Sequence, residues 1–402
     1  MSFSAWSHYK PIAVRDQQVD ADLTDVPLLV KITGDADLSR ALATGHDVRF
    51  SLADGETELP YDRVCWSGGG GSPATAIFYV STPSIAASGG ASIRMYYGQT
   101  AAGDGRNPAA VWAGYLAVLH LIEAGNGSPG EFVDSTGNGH DGQGLGGIPA
   151  QVAGKIDRGQ DFTRADQDGI SLGDWLAGQP AMSFSCWLRP KSSSADHDIV
   201  VKGAHSTWEP LVLWRDEWAS GDRYGIIITD TANHTTGAVY TSNGSAAPAG
   251  VWQHLALTFA PNSATGLRVY LDGVEDANSP FSTIAVDQIK ASAGLVRLGK
   301  DSANLAPMDG VIEEVRFRNA VPANPAAWFK FHVANVAAAD HELTIGPEVA
   351  VAAPPVGPPY RMAAGDLFSP GAETGRVFLA AAAAGQLFHT GVAAGEIDGR
   401  AN

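Results

Sequence analysis

Cysteine is almost absent from this chain of 402 residues, with only Cys65 and Cys186. Two thiols so far apart build no disulfide framework, so stability must come from apolar burial, and two buried reduced thiols are expected in place of a bridge. Charge is scarce too, at 17% of residues. Helix surfaces are usually made of Lys, Glu and Arg. Their shortage, with 47 Gly and 23 Pro, argues against a helical protein and for short strands joined by turns. Basic residues are outnumbered 26 to 43, for a formal charge of −17. Such a surface repels phosphate backbones and anionic lipid, which excludes nucleic acid and a membrane surface as expected partners. No apolar run reaches membrane-spanning length, and the opening MSFSAWSHYKPIAV has neither the basic leader nor the apolar core of a secretory signal. The expectation is synthesis in a cytosol without membrane insertion, and exit, if any, by a route such as release inside a virus particle.

What is present is β-pattern. Between Gly250 and Glu275, Gln253, Leu255, Leu257 and Phe259 alternate with Trp252, His254, Ala256 and Thr258; a turn cluster follows, and Leu267, Val269 and Leu271 resume the two-residue period. Asp272-Gly273 then supplies the favoured two-residue reversal, whose central positions need positive φ. Short strand candidates recur from the N-terminus: Ile12–Val14, Val26–Ile32, Val48–Phe50, Ala76–Val80 and Ile93–Tyr97. The Ser67–Ser72 stretch reads as a flexible glycine loop without the following helix that phosphate binding requires. The fold class is therefore all-β: two tandem β-sandwiches, residues 1–106 and 107–346, then a Pro-rich spacer at 347–360. In the tail, 361–402, Gly365-Asp-Leu-Phe368, Gly375-Arg-Val-Phe378, Gly385-Gln-Leu-Phe388 and Gly395-Glu-Ile-Asp398 form a decapeptide repeat. One copy cannot bury its own apolar pair. Leu367, Phe368, Val377, Phe378, Leu387 and Phe388 are therefore expected to make assembly contacts between chains, with a homotrimer predicted; a disordered Ala/Gly-rich tail is the alternative.

Two resemblances accompany this pattern. Trp252-x-His254, Leu267-x-Val269-Tyr270-Leu271-Asp272-Gly273, Asp134–Gly142, Phe184–Pro190 and Gly310–Phe317 resemble the laminin-G-like, concanavalin A-like lectin/glucanase jelly rolls, with Glu313 standing where that family usually has Asp. Leu23–Val30, Gly45–Phe50, Leu59-Pro60-Tyr61 and Met95–Gly98 resemble an uncharacterised domain that often precedes such jelly rolls in bacterial and phage surface proteins. The second resemblance implies architecture and company, with no chemistry attached.

Signatures of catalysis are missing. Retaining glycosidases need two carboxyls about 5–5.5 Å apart, which alternating acids on one strand would supply. Glu313 and Glu314 are adjacent, so a regular strand would send them to opposite faces. The eleven histidines lack zinc spacing, and core packing accounts for His120 and His254. No nucleophile elbow, phosphate loop or dinucleotide fingerprint occurs. Asp166 and Asp168 are the candidate calcium ligands, with Asp134 and Asp141 in a second loop. Calcium wants six to eight oxygens, and pairs of acids read first as Asp-rich turns. No other cofactor is expected. The segment Ser206–Trp218 offers Trp208, Trp214 and Trp218 as an aromatic platform with Arg215 and Glu217 at a polar rim, while Trp214 reads as core. The two resemblances imply most of the functional reading and the tail repeat implies assembly: a non-enzymatic virion protein is expected, a phage fibre, decoration or tail-tip component, displaying a glycan- or surface-binding domain and meeting other virion proteins. The alternatives are a bacterial surface adhesin and a glycoside hydrolase with an unrecognised acid pair.

Overall fold

The computed structural model describes residues 3–15, 19–192, 195–204, 209–216, 221–336 and 343–352. The first sandwich uses β1 (His8–Val14), β2 (Leu23–Asp35), β3 (Arg49–Leu52), β4 (Glu58–Leu59), β5 (Tyr61–Gly69), β6 (Ser72–Ile85) and β7 (Ala91–Tyr97). One sheet has β1-β7-β3-β4 in antiparallel order, and the other is β2-β6-β5. Alternation decides the faces. Ile12, Val14, Ile93, Met95 and Tyr97 from the first sheet meet Leu28, Val30, Phe78 and Val80 from the second in one core.

The Gly68–Gly71 stretch is an ordered hairpin and not the flexible loop expected of it. All four glycines have positive φ, the amides of Gly70 and Gly71 donate to Ala41 O and Ser39 O at 2.7 and 2.8 Å, and a Cβ at Gly69 would lie 2.4 Å from Leu42 O. Glycine is needed here for turn geometry and close backbone approach.

After α1 (Pro108–Val111), the jelly roll begins. Its strands are β8 (Tyr115–Leu119), β9 (Gln143–Leu145), β10 (Ala150–Ala153), β11 (Arg158–Phe162), β12 (Gly169–Ser171), β13 (Met182–Pro190), β14 (His197–Ala204), β15 (Glu209–Asp216), β16 (Arg223–Ile228), β17 (Val239–Tyr240), β18 (Gln253–Phe259), β19 (Leu267–Leu271), β20 (Val274–Glu275), β21 (Val296–Leu298) and β22 (Gly310–Arg318). They form an eight-stranded sheet, β10-β11-β22-β13-β18-β19-β20 with β8 on β22, and a seven-stranded sheet, β17-β16-β15-β14-β21-β12-β9. Leu255, Leu257, Phe259, Leu267 and Val269 fill the space between them, as their alternation requires. Asp272 and Gly273 both take positive φ in the β19–β20 reversal. Cys186 is a buried free thiol in this core, and Cys65 is a half-buried free thiol.

The chain then returns to where it began. Helix α2 (Pro325–Val336) buries Trp328, Phe329 and Phe331 in the same apolar cluster that holds Tyr270 of β19 and Leu28 of β2. The Asn335 side chain makes a two-way bond with the backbone of Leu29, accepting from its N at 2.8 Å and donating to its O at 3.0 Å. Beyond it, β23 (Leu343–Ile345) pairs with Ile12–Val14, and β24 (Val349–Ala350) pairs with His8 and Tyr9. Two expected boundaries therefore move. Residues 343–346 belong to the first sandwich, not to the jelly roll, so the jelly roll is an insertion within it. The stretch assigned to a spacer contains a strand near its start, because the residues between Pro347 and Pro354 keep their backbone N–H groups and Glu348 ties them down through Tyr97 Oη at 2.8 Å and Arg40 at 3.1 Å. The repeat residues Leu367, Phe368, Val377, Phe378, Leu387 and Phe388 lie outside the described residues.

A chain ending at Asp340 loses the β23 and β24 ladders, and its first thermal transition should fall several degrees below that of a chain ending at Ala352. Equal midpoints in differential scanning calorimetry would show that the returning strands add nothing to the first sandwich.

Candidate functional site

The outward face of the eight-stranded sheet lies against the first sandwich. Leu29, Ile77 and Tyr79 from that sandwich, Trp112 just after α1, and Val118, Ile156 and Trp187 from the jelly roll form one buried layer. Within it sits a pair of adjacent acids, Glu313 and Glu314. Ile312, Val315 and Phe317 all face the jelly-roll core, so one extra residue separates the first two inward positions. A β-bulge opposite Ser185–Trp187, with Glu314 at φ 54°, supplies it. Glu313 and Glu314 therefore both point outward, correcting the expectation of opposite faces.

Their environments then diverge. Glu313 is buried beside Glu314, and both effects push its carboxyl up to about 7 despite amide donors from Asp157, Lys155 and Ile156. Glu314 is buried as well, but His120 and Arg316 outweigh the burial and hold it ionised. His120 Nδ1 meets Glu314 Oε1 at 2.8 Å, its Nε2 meets Asp62 Oδ2 at 3.2 Å, and its ring stacks on Tyr79. Burial by itself would disfavour the imidazolium, yet the two carboxylates raise it to about 10. Arg316 Nη2 donates to Glu314 Oε2 at 2.7 Å and Arg316 Nη1 to His332 at 3.0 Å, with the guanidinium over the Tyr79 ring. Arg106 Nε donates to Asp62 Oδ1 at 2.8 Å and Trp112 Nε1 to Asp62 Oδ2 at 2.9 Å.

Split acidities in a carboxyl pair are what an acid/base catalyst requires. Here no substrate reaches them: Asp62, His120, Glu313, Glu314 and Arg316 are at most 4% exposed, and the neighbouring cavity at Arg316 and His332 is about 10 Å³, room for one water at most. Glu314 is linked to the first sandwich through His120 and Asp62. His120 was expected to be explained by core packing, and it is in fact a buried cation. His254 is neutral, pushed down to about 3 by burial and Arg316, and packs on Trp187.

The seven-stranded sheet presents the other outward face. Val201, Val212, Trp214 and Ile227 make a thin apolar layer there, with Tyr240 against it. Trp214 is buried, as expected, though on the outside of the sheet and not in the core. Its ring lies over Gly225, where a Cβ would be 2.1 Å away, and it meets Tyr240 edge-on at 5.7 Å. Arg223 covers Tyr240 at 4.0 Å and donates to Asp216 at 2.8 Å. At the other end of β14 and β15, a cleft of about 310 Å³ opens between Gly203, Pro210, Ser292, Leu295, Arg297 and Ser302. Arg297 lies between two core residues, Val296 and Leu298, so its side chain must project outward into this cleft.

Two family matches cover parts of this architecture. Residues 164–323 match the concanavalin A-like lectin/glucanases superfamily. Residues 44–128 match the Domain of unknown function (DUF2341). No curated protein matches the chain. Among solved structures, domain 4 of AbnA, a GH43 extracellular arabinanase from Geobacillus stearothermophilus, in complex with arabinotriose, is 21% identical at a TM-score of 0.40, over 54% of this chain and 96% of that one. The binding domain of Paraclostridial Mosquitocidal Protein 1 is 10% identical at 0.41, over 55% and 52%, and that of botulinum neurotoxin serotype G is 11% identical at 0.40, over 55% and 50%. The chain thus spans about half the length of these two toxin domains.

The other sequence-predicted residues of the concanavalin A-like domain fall in different places. Arg215 is not at a polar rim. It alternates with Trp214, so it enters the opposite side of β15, is 1% exposed and donates to Ala247 O at 3.1 Å. Trp208, Glu217 and Trp218 lie outside the described residues. Asp168 is buried and accepts from Thr163 N at 2.7 Å, while Asp166 is exposed and its carbonyl accepts from Gly147. Burial and the charges of Asp166 and Asp161 push the Asp168 carboxyl up. Asp134 is engaged by Val118, Thr136 and His140, and Asp141 by Asp134 N. Among the described residues, no group of three or more His, Cys, Asp or Glu side chains is placed to share an ion. Sequence reading passed over Arg297, although the Val-Arg-Leu alternation signals an outward arginine. It also passed over Asp62, for which no local signal exists.

The buried ion network sets a pH dependence. Glu313, raised from 4.5 to about 7, contributes stability below pH 4.5 that is lost as pH rises through 7; His120, raised from 6.5 to about 10, contributes stability below pH 6.5 that is lost as pH rises through 10. Glu313→Gln should flatten the decline between pH 4.5 and 7 in denaturant titrations and leave the alkaline limb intact. His120→Ala leaves Asp62 and Glu314 without their shared cation and should lower stability at pH 7 by about 3–5 kcal/mol. A neutral His120→Ala variant would refute the network's structural role.

Proposed function

We propose that this is a non-enzymatic binding protein whose concanavalin A-like domain engages a glycan or glycan-bearing surface through the cleft beside Arg297. The observation that carries this reading is the asymmetry of the jelly roll. One outward face is closed by the first sandwich together with the acid pair, whereas the face of the seven-stranded sheet carries an arginine, two serine hydroxyls and main-chain groups around an apolar floor. Ligand clefts combine a mostly apolar floor with a few convergent polar groups, and hydroxyl-rich ligands fit that mixture. The lectin character of the matched superfamily supports the same choice. The closure of Glu313 and Glu314 favours binding over hydrolysis.

The wider role we propose is that of a virion component, a fibre, decoration or tail-tip protein, with the decapeptide repeat of residues 361–402 joining three copies. The support for it is the repeat itself, which places a branched apolar residue and, in three of four units, Phe at ten-residue intervals, and so requires neighbours to cover them. A bacterial surface adhesin uses the same binding face.

On a glycan array the intact protein should retain at least one class of oligosaccharide, and Arg297→Ala should weaken that binding about tenfold or more with an unchanged melting temperature. Binding by the variant at wild-type strength removes the cleft from the account. In light-scattering chromatography the intact chain should run as a trimer and a chain ending at Ala352 as a monomer; two monomers would refute the assembly role.

A further inference from the structure

A wide groove lies on the first sandwich, about which the matched family states no function. It is a groove of about 750 Å³ on the outward side of β1 and β7, lined by Phe3, Tyr9, Asp54, Glu56, Arg94 and Tyr96 among others. Those strands turn Ile12, Ile93 and Met95 into the core, so Tyr9, Arg94 and Tyr96 necessarily share the opposite face. The volume is that of a ligand cleft, on the order of 300–1,000 Å³.

The groove is built, not merely open. Phe3 stacks on Tyr96 with ring centres 4.3 Å apart and planes 11° apart, and Tyr9 leans on Tyr96 at 5.4 Å. The Arg94 guanidinium lies over the Tyr9 ring at 5.0 Å and directs Nη1 to Tyr96 Oη at 3.4 Å. Its place is kept by Gly55: a Cβ there would fall 2.3 Å from Arg94 Nη1 and 2.9 Å from Tyr96 Oη. The same turn fixes Asp54, whose carboxylate accepts from Glu56 N, Thr57 N and Thr57 Oγ1 at 2.8, 3.0 and 2.6 Å. A planar multiple donor, the Asp54 carboxylate and the half-buried Tyr9 ring are thus held in place before any ligand arrives, which reduces the ordering that binding requires.

We infer that this groove is a second carbohydrate site, separate from the cleft of the concanavalin A-like domain, and that it takes a neutral oligosaccharide. The half-buried Tyr9 ring, backed by the buried Phe3 and Tyr96, suits the C–H face of a sugar, and Arg94 with Asp54 and Glu56 offers donors and acceptors to hydroxyls on its edge. Charge decides between ligand classes. An anionic sugar would gain Arg94 but meet two carboxylates, and a cationic ligand would gain the acids but meet Arg94, so an uncharged polyol alone has no repulsive partner.

The test uses the intact chain and a panel of neutral trisaccharides (cellotriose, maltotriose, mannotriose) with trigalacturonate as the acidic counterpart, read by saturation-transfer NMR and calorimetry. At least one neutral trisaccharide should bind, should bind equally to Arg297→Ala, and should bind ten times or more weakly to Arg94→Gln and to Glu56→Gln, both of which should keep the wild-type melting temperature. Absence of neutral binding, binding of trigalacturonate alone, or wild-type affinity in Arg94→Gln overturns the assignment. Neutral binding that is lost in Arg297→Ala and untouched in Arg94→Gln also overturns it while leaving the cleft proposal standing.

Discussion

A buried histidine held between Asp62 and Glu314, with Arg316 on the second carboxylate, ties the two sandwiches together. Asp62 comes from the first sandwich, His120 from the strand leaving the inter-domain helix, and Glu314 and Arg316 from the central strand of the jelly roll. An ion in such a place is tolerated only when every partner is present. Neither sandwich can satisfy the set without the other, so the ion network allows one docking geometry and penalises others. The apolar layer of Leu29, Ile77, Tyr79, Trp112 and Trp187 supplies attraction that is not directional, and the ions give it a register.

Helix α2 and the returning strands complete that constraint. Trp328 and Phe329 wedge between the domains, Asn335 binds the Leu29 backbone on β2, an edge strand, and β23 and β24 close onto β1. Such an edge left bare would invite pairing with another chain. Because the jelly roll is inserted within the first sandwich, the docked face is held by chain connectivity as well as by contacts. The consequence for function is geometric: binding must use the seven-stranded sheet, its rim, or the far side of the first sandwich.

Much of this was legible from local pattern. The alternation from Gln253 to Phe259, the Asp272-Gly273 reversal and the strand candidates near Ile12, Leu28, Phe78 and Met95 all follow from a two-residue period and from positive φ, which are properties of neighbouring residues. The glycines of 68–71 misled because composition cannot tell a loose loop from a turn pressed against Leu42. Glu313 and Glu314 misled because a bulge adds one residue to the register, and nothing in the acids themselves announces it. Arg215 and Trp214 were both picked from one aromatic-rich segment, but adjacent residues in a strand cannot serve one surface.

The amino-acid sequence by itself determined the class of structure, the turns and which residues of each strand are apolar, because hydrophobic period and backbone preference act over a few residues. Only the tertiary structure decided which face of the jelly roll is sealed, that His120 is a buried cation, and that Val349 and Ala350 leave the spacer to join the first sheet. Those outcomes depend on groups tens to hundreds of positions apart meeting in a medium where an unpaired charge or amide is costly. No local window contains both partners.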